Sequence, residues 1–232
     1  MIELTNFIDY DTSKILQYGK QLDSIFQYNS DIEKTAYLNW RMGFGHNSRS
    51  QFVVVGEAFF STAFNLIHQC LEDNSDKKAD SWIFPIMFNT VHGIETYLKA
   101  INAVLSVILN IHRGITEGGH DLKGLCSVAR KLIIEYKTKN KCDTTEQMFL
   151  GIKVVEKFID NIYEKTDDMT FARYPLAKNK QGHFYIQTFD NEVIDLELLE
   201  EQIIYVFKML EFIYDMPELD IEIQEDAMMD CY

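Results

Sequence analysis

Apolar residues recur at helical spacing along most of this chain, and that periodicity predicts an all-α protein. One stretch departs from it. Residues 183–194 are rich in aromatic and β-branched residues around Asp190-Asn191, which predicts a small β-hairpin. The helices predicted from the periodicity, in chain order, are 12–28, 31–41, 51–71, 82–112, 120–138, 144–165 and 196–215. The pattern therefore predicts a helical bundle that carries one short β element.

The chain shows no internal repeat and no low-complexity linker, so its 232 residues predict a single domain. We divide this domain into an N-terminal helical extension (1–80), a bundle (81–215) and an acidic tail (216–232). The helix predicted at 82–112 has Pro85 in its first turn, where the missing N–H does no harm.

The formal net charge of −14 changes the range of partners to expect. It repels phosphate backbones at long range, which argues against a protein that coats nucleic acid but is compatible with a local basic pocket. From Glu211 to Tyr232 the chain has eight acidic residues and no Lys or Arg. Two interpretations of this end are open: a solvated, partly disordered terminus, or a segment that docks a basic partner protein.

The sequence predicts a cytoplasmic protein with no membrane span. The N-terminus lacks a basic signal-peptide start, and no run of 18 apolar residues occurs. The four cysteines, Cys70, Cys126, Cys142 and Cys231, show no CxxC or Cys/His metal spacing. We interpret them as free thiols in a reducing compartment, and we predict neither a metal nor a cofactor.

Candidate chemistry begins with His92, Glu95 and Lys99, which lie along one side of a long apolar helix. A Glu and a His three residues apart resemble half of a di-iron site, but no second pair is present. Glu95 and Lys99 have the spacing of a helix salt bridge, so a structural polar network is the leading interpretation. We expect both groups to be hydrogen-bonded inside the bundle, with His120 or Arg173 within reach.

Gly119-His120-Asp121-Leu122 marks a junction between a loop and a helix. His120 could present one ring nitrogen to a pocket, or it could serve only in capping and packing. Asp121 lies where a carboxylate favours the N-terminus of a helix. Both interpretations of the junction are open.

Arg173-Tyr174-Pro175 opens the most basic neighbourhood of the chain. Two interpretations are open: Arg173 recognises a phosphate or carboxylate, or it forms a salt bridge to Asp121 or Glu95 that ties this loop to the bundle. We favour the salt bridge slightly. The basic residues of the neighbourhood are Arg173, Lys178, Lys180 and His183.

Four features follow one another along the chain in an order that resembles HEPN-type domains. They are the polar side of the 82–112 helix, the Gly119–Leu122 junction, the Ala172–Pro175 loop and the final helix. The resemblance covers about residues 80–215. It implies an all-α HEPN-like bundle of four or five helices, often a homodimer, of the kind found in bacterial toxin–antitoxin modules and antiviral defence systems. Members are metal-independent ribonucleases that act on RNA, or non-catalytic partners of nucleotidyltransferases.

Nuclease members carry an Arg and a His separated by four to six residues at a two-fold interface. Arg113 and His120 have six residues between them, and Arg41 and His46 have four. A His can move the proton of a ribose 2′-OH while an Arg stabilises the charge on phosphorus. We therefore predict Arg113 and His120 as catalytic, in a homodimer that buries the 113–120 connector. The predicted binding residues are His92, Glu95, Lys99, Asp121, Arg173 and Tyr174.

The Gly-His-Asp-Leu element is typical of the non-nuclease branch of these domains. The alternative function is therefore a non-catalytic module that binds a nucleotide, or a partner protein through the acidic C-terminus.

Overall fold

Six α-helices make up most of the chain that the computed structural model describes, which comprises residues 24–38, 47–115, 118–140, 144–177 and 179–229. Within these ranges no residue belongs to a named β-strand, so the predicted all-α class is confirmed. The helices are α1 Ser48–Glu72, α2 Ala79–Ile108, α3 Leu122–Asn140, α4 Thr144–Tyr163, α5 Phe184–Gln187 and α6 Leu196–Met229.

Four of these helices form a closed ring. α2 packs against α3, α3 against α4, α4 against α6, and α6 against α2, which is the arrangement of a four-helix bundle. α1 lies outside the ring and packs on both α2 and α6. Because α2 has neighbours on three sides, its central part is buried almost all round. An ionised group on α2 is therefore costly unless it finds a partner within the protein.

α2 begins at Ala79, where the side-chain oxygen of Asn74 accepts a hydrogen bond from the Ala79 N–H at 3.0 Å. The helix starts three residues earlier than predicted and ends at Ile108 rather than at residue 112. Pro85 consequently lies in the second turn, on the exposed side of the helix.

α1 and α2 cross where a glycine of each helix faces an aromatic ring of the other. A Cβ added at Gly56 would lie 2.6 Å from the Tyr97 ring, and one added at Gly93 would lie 2.8 Å from the Phe60 ring. Both rings are fully buried. The crossing therefore requires glycine at both positions, because any side chain there would displace a core aromatic.

α1 is the one described helix that is long and apolar enough to cross a membrane by length and composition alone. Phe60, Ala63 and Ile67 of this helix are fully buried against the bundle. A core helix of a bundle has the same composition.

The helices predicted before residue 42 are wrong where the structure describes them. Residues 24–28 are not helical, and within 31–38 only Ile32–Lys34 forms a 3₁₀ turn, capped by Asp31. Ile25 and Phe26 are 86% and 80% exposed, so no core contact stabilises a helix there. The rest of both predicted helices lies outside the described residues.

The β-hairpin predicted at 183–194 is also wrong. The segment forms one helical turn, α5, followed by irregular chain. The Tyr185 hydroxyl donates to the Phe171 carbonyl at 2.9 Å, and the Tyr185 ring lies 5.2 Å from that of Phe84 on α2. These aromatic residues pack onto the bundle, and in the described part of the chain no strand is present to pair with the segment.

α6 continues through Pro217 to Met229, whereas the pattern predicts a helix end near residue 215. Two contacts hold the part beyond the proline: Glu218 pairs with Arg49, and the Tyr136 hydroxyl donates to Asp220. A proline inside a helix removes one intrahelical hydrogen bond. The two contacts beyond Pro217 offset that cost. Of the end for which two interpretations are open, residues 211–229 are helical and residues 222–229 are exposed to solvent, whereas 230–232 lie outside the described residues.

Candidate functional site

The carboxylate of Glu95 is the centre of a polar network inside the bundle. Its Oε1 lies 2.7 Å from Lys99 Nζ and 2.8 Å from His120 Nδ1, and its Oε2 lies 3.5 Å from His92 Nδ1. The hydrogen bonds that the sequence predicts for Glu95 and Lys99 are thus present. His120 completes the network, joining α2 to the chain that leads into α3.

Burial differs sharply across this network. The side chains of Glu95 and Lys99 are 8% and 9% exposed, that of His92 is 30% exposed, and that of His120 is 82% exposed. The network therefore runs from a buried ion pair to an imidazole in contact with solvent.

The electrostatics of the network favour an ionised Glu95. Burial alone raises the pKa of this carboxyl group, but the hydrogen bonds and positive charges of Lys99 and His120 outweigh burial and hold its pKa below the ordinary value. An ionised carboxylate can only accept hydrogen bonds, so His120 donates through Nδ1–H.

Two glycines bring His120 to this position. Gly118 and Gly119 have φ values of +96° and +58°, in the left-handed region that favours glycine. The turn that they form ends at Asp121, whose N–H donates to the Gly118 carbonyl at 3.3 Å. Leu122 is then fully buried at the start of α3. The same turn therefore buries α3 and leaves the His120 ring exposed beside Glu95.

His92 is held by aromatic rings as well as by Glu95. The centroid of its ring lies 4.8 Å from that of Phe88 and 5.1 Å from that of Phe59. Phe88 lies one turn before His92 on α2, so this contact could be read from the spacing. Phe59 lies on α1, and no local signal in the sequence pairs it with His92.

Arg173 does not form the predicted salt bridge with Asp121 or Glu95. Its guanidinium carbon lies 5.7 Å from the centroids of both the Phe88 and the Tyr174 rings. The loop is tied to α2 by these ring contacts and by Tyr185, so the ion pair is not needed to hold it in place. The Tyr174 side chain is 58% exposed.

The remaining residues of the basic neighbourhood differ in their burial. His183 is buried, at 4% exposure, with its Nε2 unpartnered, so it does not contribute to a basic surface. Lys180 is exposed and has a φ of +66°, and Lys178 lies outside the described residues. Arg173 is therefore the cation that this loop brings to α2.

The two predicted catalytic residues lie on the connector between α2 and α3. Arg113 is half-buried there, and His120 bonds to Glu95 at the far end. Asp121 is exposed, with its side chain lying over the first turn of α3 beside Gly124. The alternative pair, Arg41 and His46, lies outside the described residues. Among the described residues, no group of three His, Cys, Asp or Glu side chains is arranged to hold a metal ion.

The chain matches no protein-family model, no curated protein and no solved structure.

Proposed function

We propose that this protein is a HEPN-like, defence- or toxin-associated endoribonuclease that cleaves RNA without a metal ion. The observation that supports it best is the 2.8 Å contact between Glu95 Oε1 and His120 Nδ1, made by a buried carboxylate to an imidazole that is 82% exposed. A carboxylate that fixes the tautomer of a histidine leaves the other ring nitrogen free for proton transfer.

In the proposed reaction, Nε2 of His120 takes the proton of a ribose 2′-OH. The 2′ oxygen bonds to the adjacent phosphorus, the bond from phosphorus to O5′ breaks, and water supplies the proton that O5′ takes up. The products are a 2′,3′-cyclic phosphate end and a 5′-hydroxyl end. Arg113 is proposed to stabilise the charge that develops on the phosphate oxygens.

Free thiols support a cytoplasmic location for this activity. Cys70 and Cys126 are both free and buried, and burial raises the pKa of each thiol above its ordinary value. Such cysteines are unreactive and typical of a reducing compartment.

Cleavage of mixed cellular RNA in the presence of a chelator tests the proposal. We expect His120→Ala to lower the rate by roughly 100-fold or more, the usual contribution of a general acid or base. His68→Ala is the matched control, because His68 also lies beside glutamates, is 67% exposed and belongs to α1. We expect it to cleave at the wild-type rate. Equal activity in the wild type and His120→Ala would refute the catalytic role.

The second candidate is a non-catalytic module that binds a nucleotide and partners another protein. Two observations favour it: Lys99 already satisfies Glu95 without any ligand, and the end of α6, residues 222–229, is an exposed acidic helix that suits a basic partner. The same assay separates the candidates, since a module predicts no cleavage in any variant.

A further inference from the structure

Among the described residues, Arg173 has no anionic partner. Although the chain has a net charge of −14, no carboxylate in its described part lies within ion-pair distance of this guanidinium. Arg49 and Arg130 pair with Glu218 and Glu156. Arg173 instead rests against two aromatic rings. Its N–H groups are therefore available to an anion from solution.

The rings beside Arg173 connect it to His120. The Phe88 ring lies near both Arg173 and the His92 ring, and His92 contacts Glu95, which holds His120. From Phe88 to Glu95 is seven residues, or about 10 Å along the helix axis. That length corresponds to roughly three steps of a stacked nucleic acid strand. One short strand could therefore contact Arg173 and His120 together.

We propose that Arg173 and Tyr174 form a subsite for a nucleotide unit of single-stranded RNA, about three units along the strand from the unit that meets His120. The Arg173 guanidinium binds the phosphate, and the exposed face of the Tyr174 ring stacks on the base. This subsite deepens the proposed function, on which its RNA substrate rests, but it requires only binding and not cleavage.

The acidic surface of the protein and the need for an open base face at Tyr174 both favour a short single strand. The acidic surface disfavours a long polyanion, so a binding site has to work through a few local contacts. Stacking on Tyr174 needs a base whose face is open, and paired bases in a duplex are not accessible in that way. Arginine and aromatic side chains beside one another are the usual means of binding single strands.

Fluorescence anisotropy with a short, labelled 2′-O-methyl oligoadenylate tests the subsite, because this RNA lacks the 2′-OH needed for cleavage. We expect Tyr174→Ala to weaken binding roughly tenfold, the effect of losing one stacked base. Tyr174→Phe is the matched control, which keeps the ring and should bind as the wild type does. The Tyr174 side chain is 58% exposed, so neither change disturbs the core.

Arg173 is tested by two substitutions. Arg173→Ala should weaken binding roughly tenfold and lower the slope of log affinity against log salt by about one phosphate contact. Arg173→Lys should keep the salt slope but recover only part of the affinity, because lysine lacks the planar fork. Unchanged affinity in both Tyr174→Ala and Arg173→Ala, or equal affinity for duplex and single strand, would overturn the subsite.

Competition by AMP distinguishes an RNA strand from a free nucleotide as the ligand of this subsite. AMP that displaces the oligomer only at far higher concentration supports an RNA strand. AMP that competes at equal concentration overturns the RNA assignment in favour of a free nucleotide. Tyr174-dependent binding without any cleavage would refute the ribonuclease and leave the subsite standing. His120-dependent cleavage without an effect of Tyr174 would do the reverse.

Discussion

Two clusters of charged side chains join distant parts of this chain, and they differ in whether one of their members is exposed to solvent. Arg49 holds Glu218 with two hydrogen bonds of 3.0 Å, and the amide of Asn47 adds a third at 3.2 Å. These two ionic side chains are 15% and 17% exposed. The Glu95 cluster is similarly buried at its centre, yet one of its members, His120, is 82% exposed.

The difference separates a structural tie from the cluster that we propose as the active site. The Arg49–Glu218 pair uses both carboxylate oxygens on a fixed guanidinium fork, so no group in it is directed towards a ligand. In the Glu95 cluster the buried ion pair fixes an imidazole whose second nitrogen remains available. Burial and charge alone do not mark a functional site; a partner that reaches the solvent does.

The largest expected effect is that of Lys99→Met. This change leaves the Glu95 carboxylate buried without its lysine, and loss of one partner of a buried pair costs about 3–4 kcal/mol of unfolding free energy. Urea unfolding followed by circular dichroism measures it. The double variant Glu95→Gln/Lys99→Met should recover part of the loss, because no charge is left buried.

Lys208→Met is the matched control for that change. Lys208 pairs with Glu211 at 2.9 Å but is 59% exposed, so its removal should change stability little. Equal destabilisation by Lys99→Met and Lys208→Met would show that burial of the Glu95 cluster does not matter.

A smaller effect is expected at the closed cluster. Arg49→Ala leaves Glu218 with only Asn47, and we expect a loss of about 2 kcal/mol in unfolding free energy by the same urea method. Arg49→Lys should recover the charge but not the second hydrogen bond. Neither variant should change RNA cleavage. A cleavage defect in a folded Arg49→Lys protein would contradict the separation of the two clusters.

The smallest effect concerns pH. The folded pKa of Glu95 lies below its ordinary value of 4.5, so the ionised carboxylate stabilises the fold above that pH. As the pH falls below it, the unfolded chain takes up this proton first, and the stabilisation is lost. Melting temperatures between pH 7 and pH 3 should therefore fall more steeply for the wild type than for Glu95→Gln. Glu222→Gln, on the exposed end of α6, should keep the wild-type slope.

The helices of the bundle could be predicted from periodicity because burial of an apolar stripe decides them. The prediction failed where distant contacts decide the structure. α6 passes through Pro217 because Arg49 and Tyr136, far away in sequence, hold the chain beyond it. The 183–194 segment has the composition of a strand, but it forms a helical turn in which the Tyr185 ring packs onto Phe84 of α2.

The candidate site shows the same division. The Glu95–Lys99 contact follows from a spacing of four on one helix, and sequence reasoning found it. His120 or Arg173 was expected near this pair, because an unpaired buried charge is costly, and His120 is the residue found there. Arg173 was paired with a carboxylate on grounds of charge alone. The sequence pattern did not show that the ring of Phe88 lies where the guanidinium rests.

The glycines at the crossing of α1 and α2 have a consequence for the direction in which the site faces. Each residue of a helix turns its side chain by about 100° around the axis. Gly93 lies between His92 and Glu95, so the close approach of Phe60 to Gly93 sets the angle at which α2 presents both polar groups. Because Gly93 has no side chain, the Phe60 ring approaches α2 closely there, and this contact fixes the rotation of the whole helix about its axis. The orientation of His92 and Glu95 therefore depends on the contact between Phe60 and Gly93, in which neither polar side chain takes part.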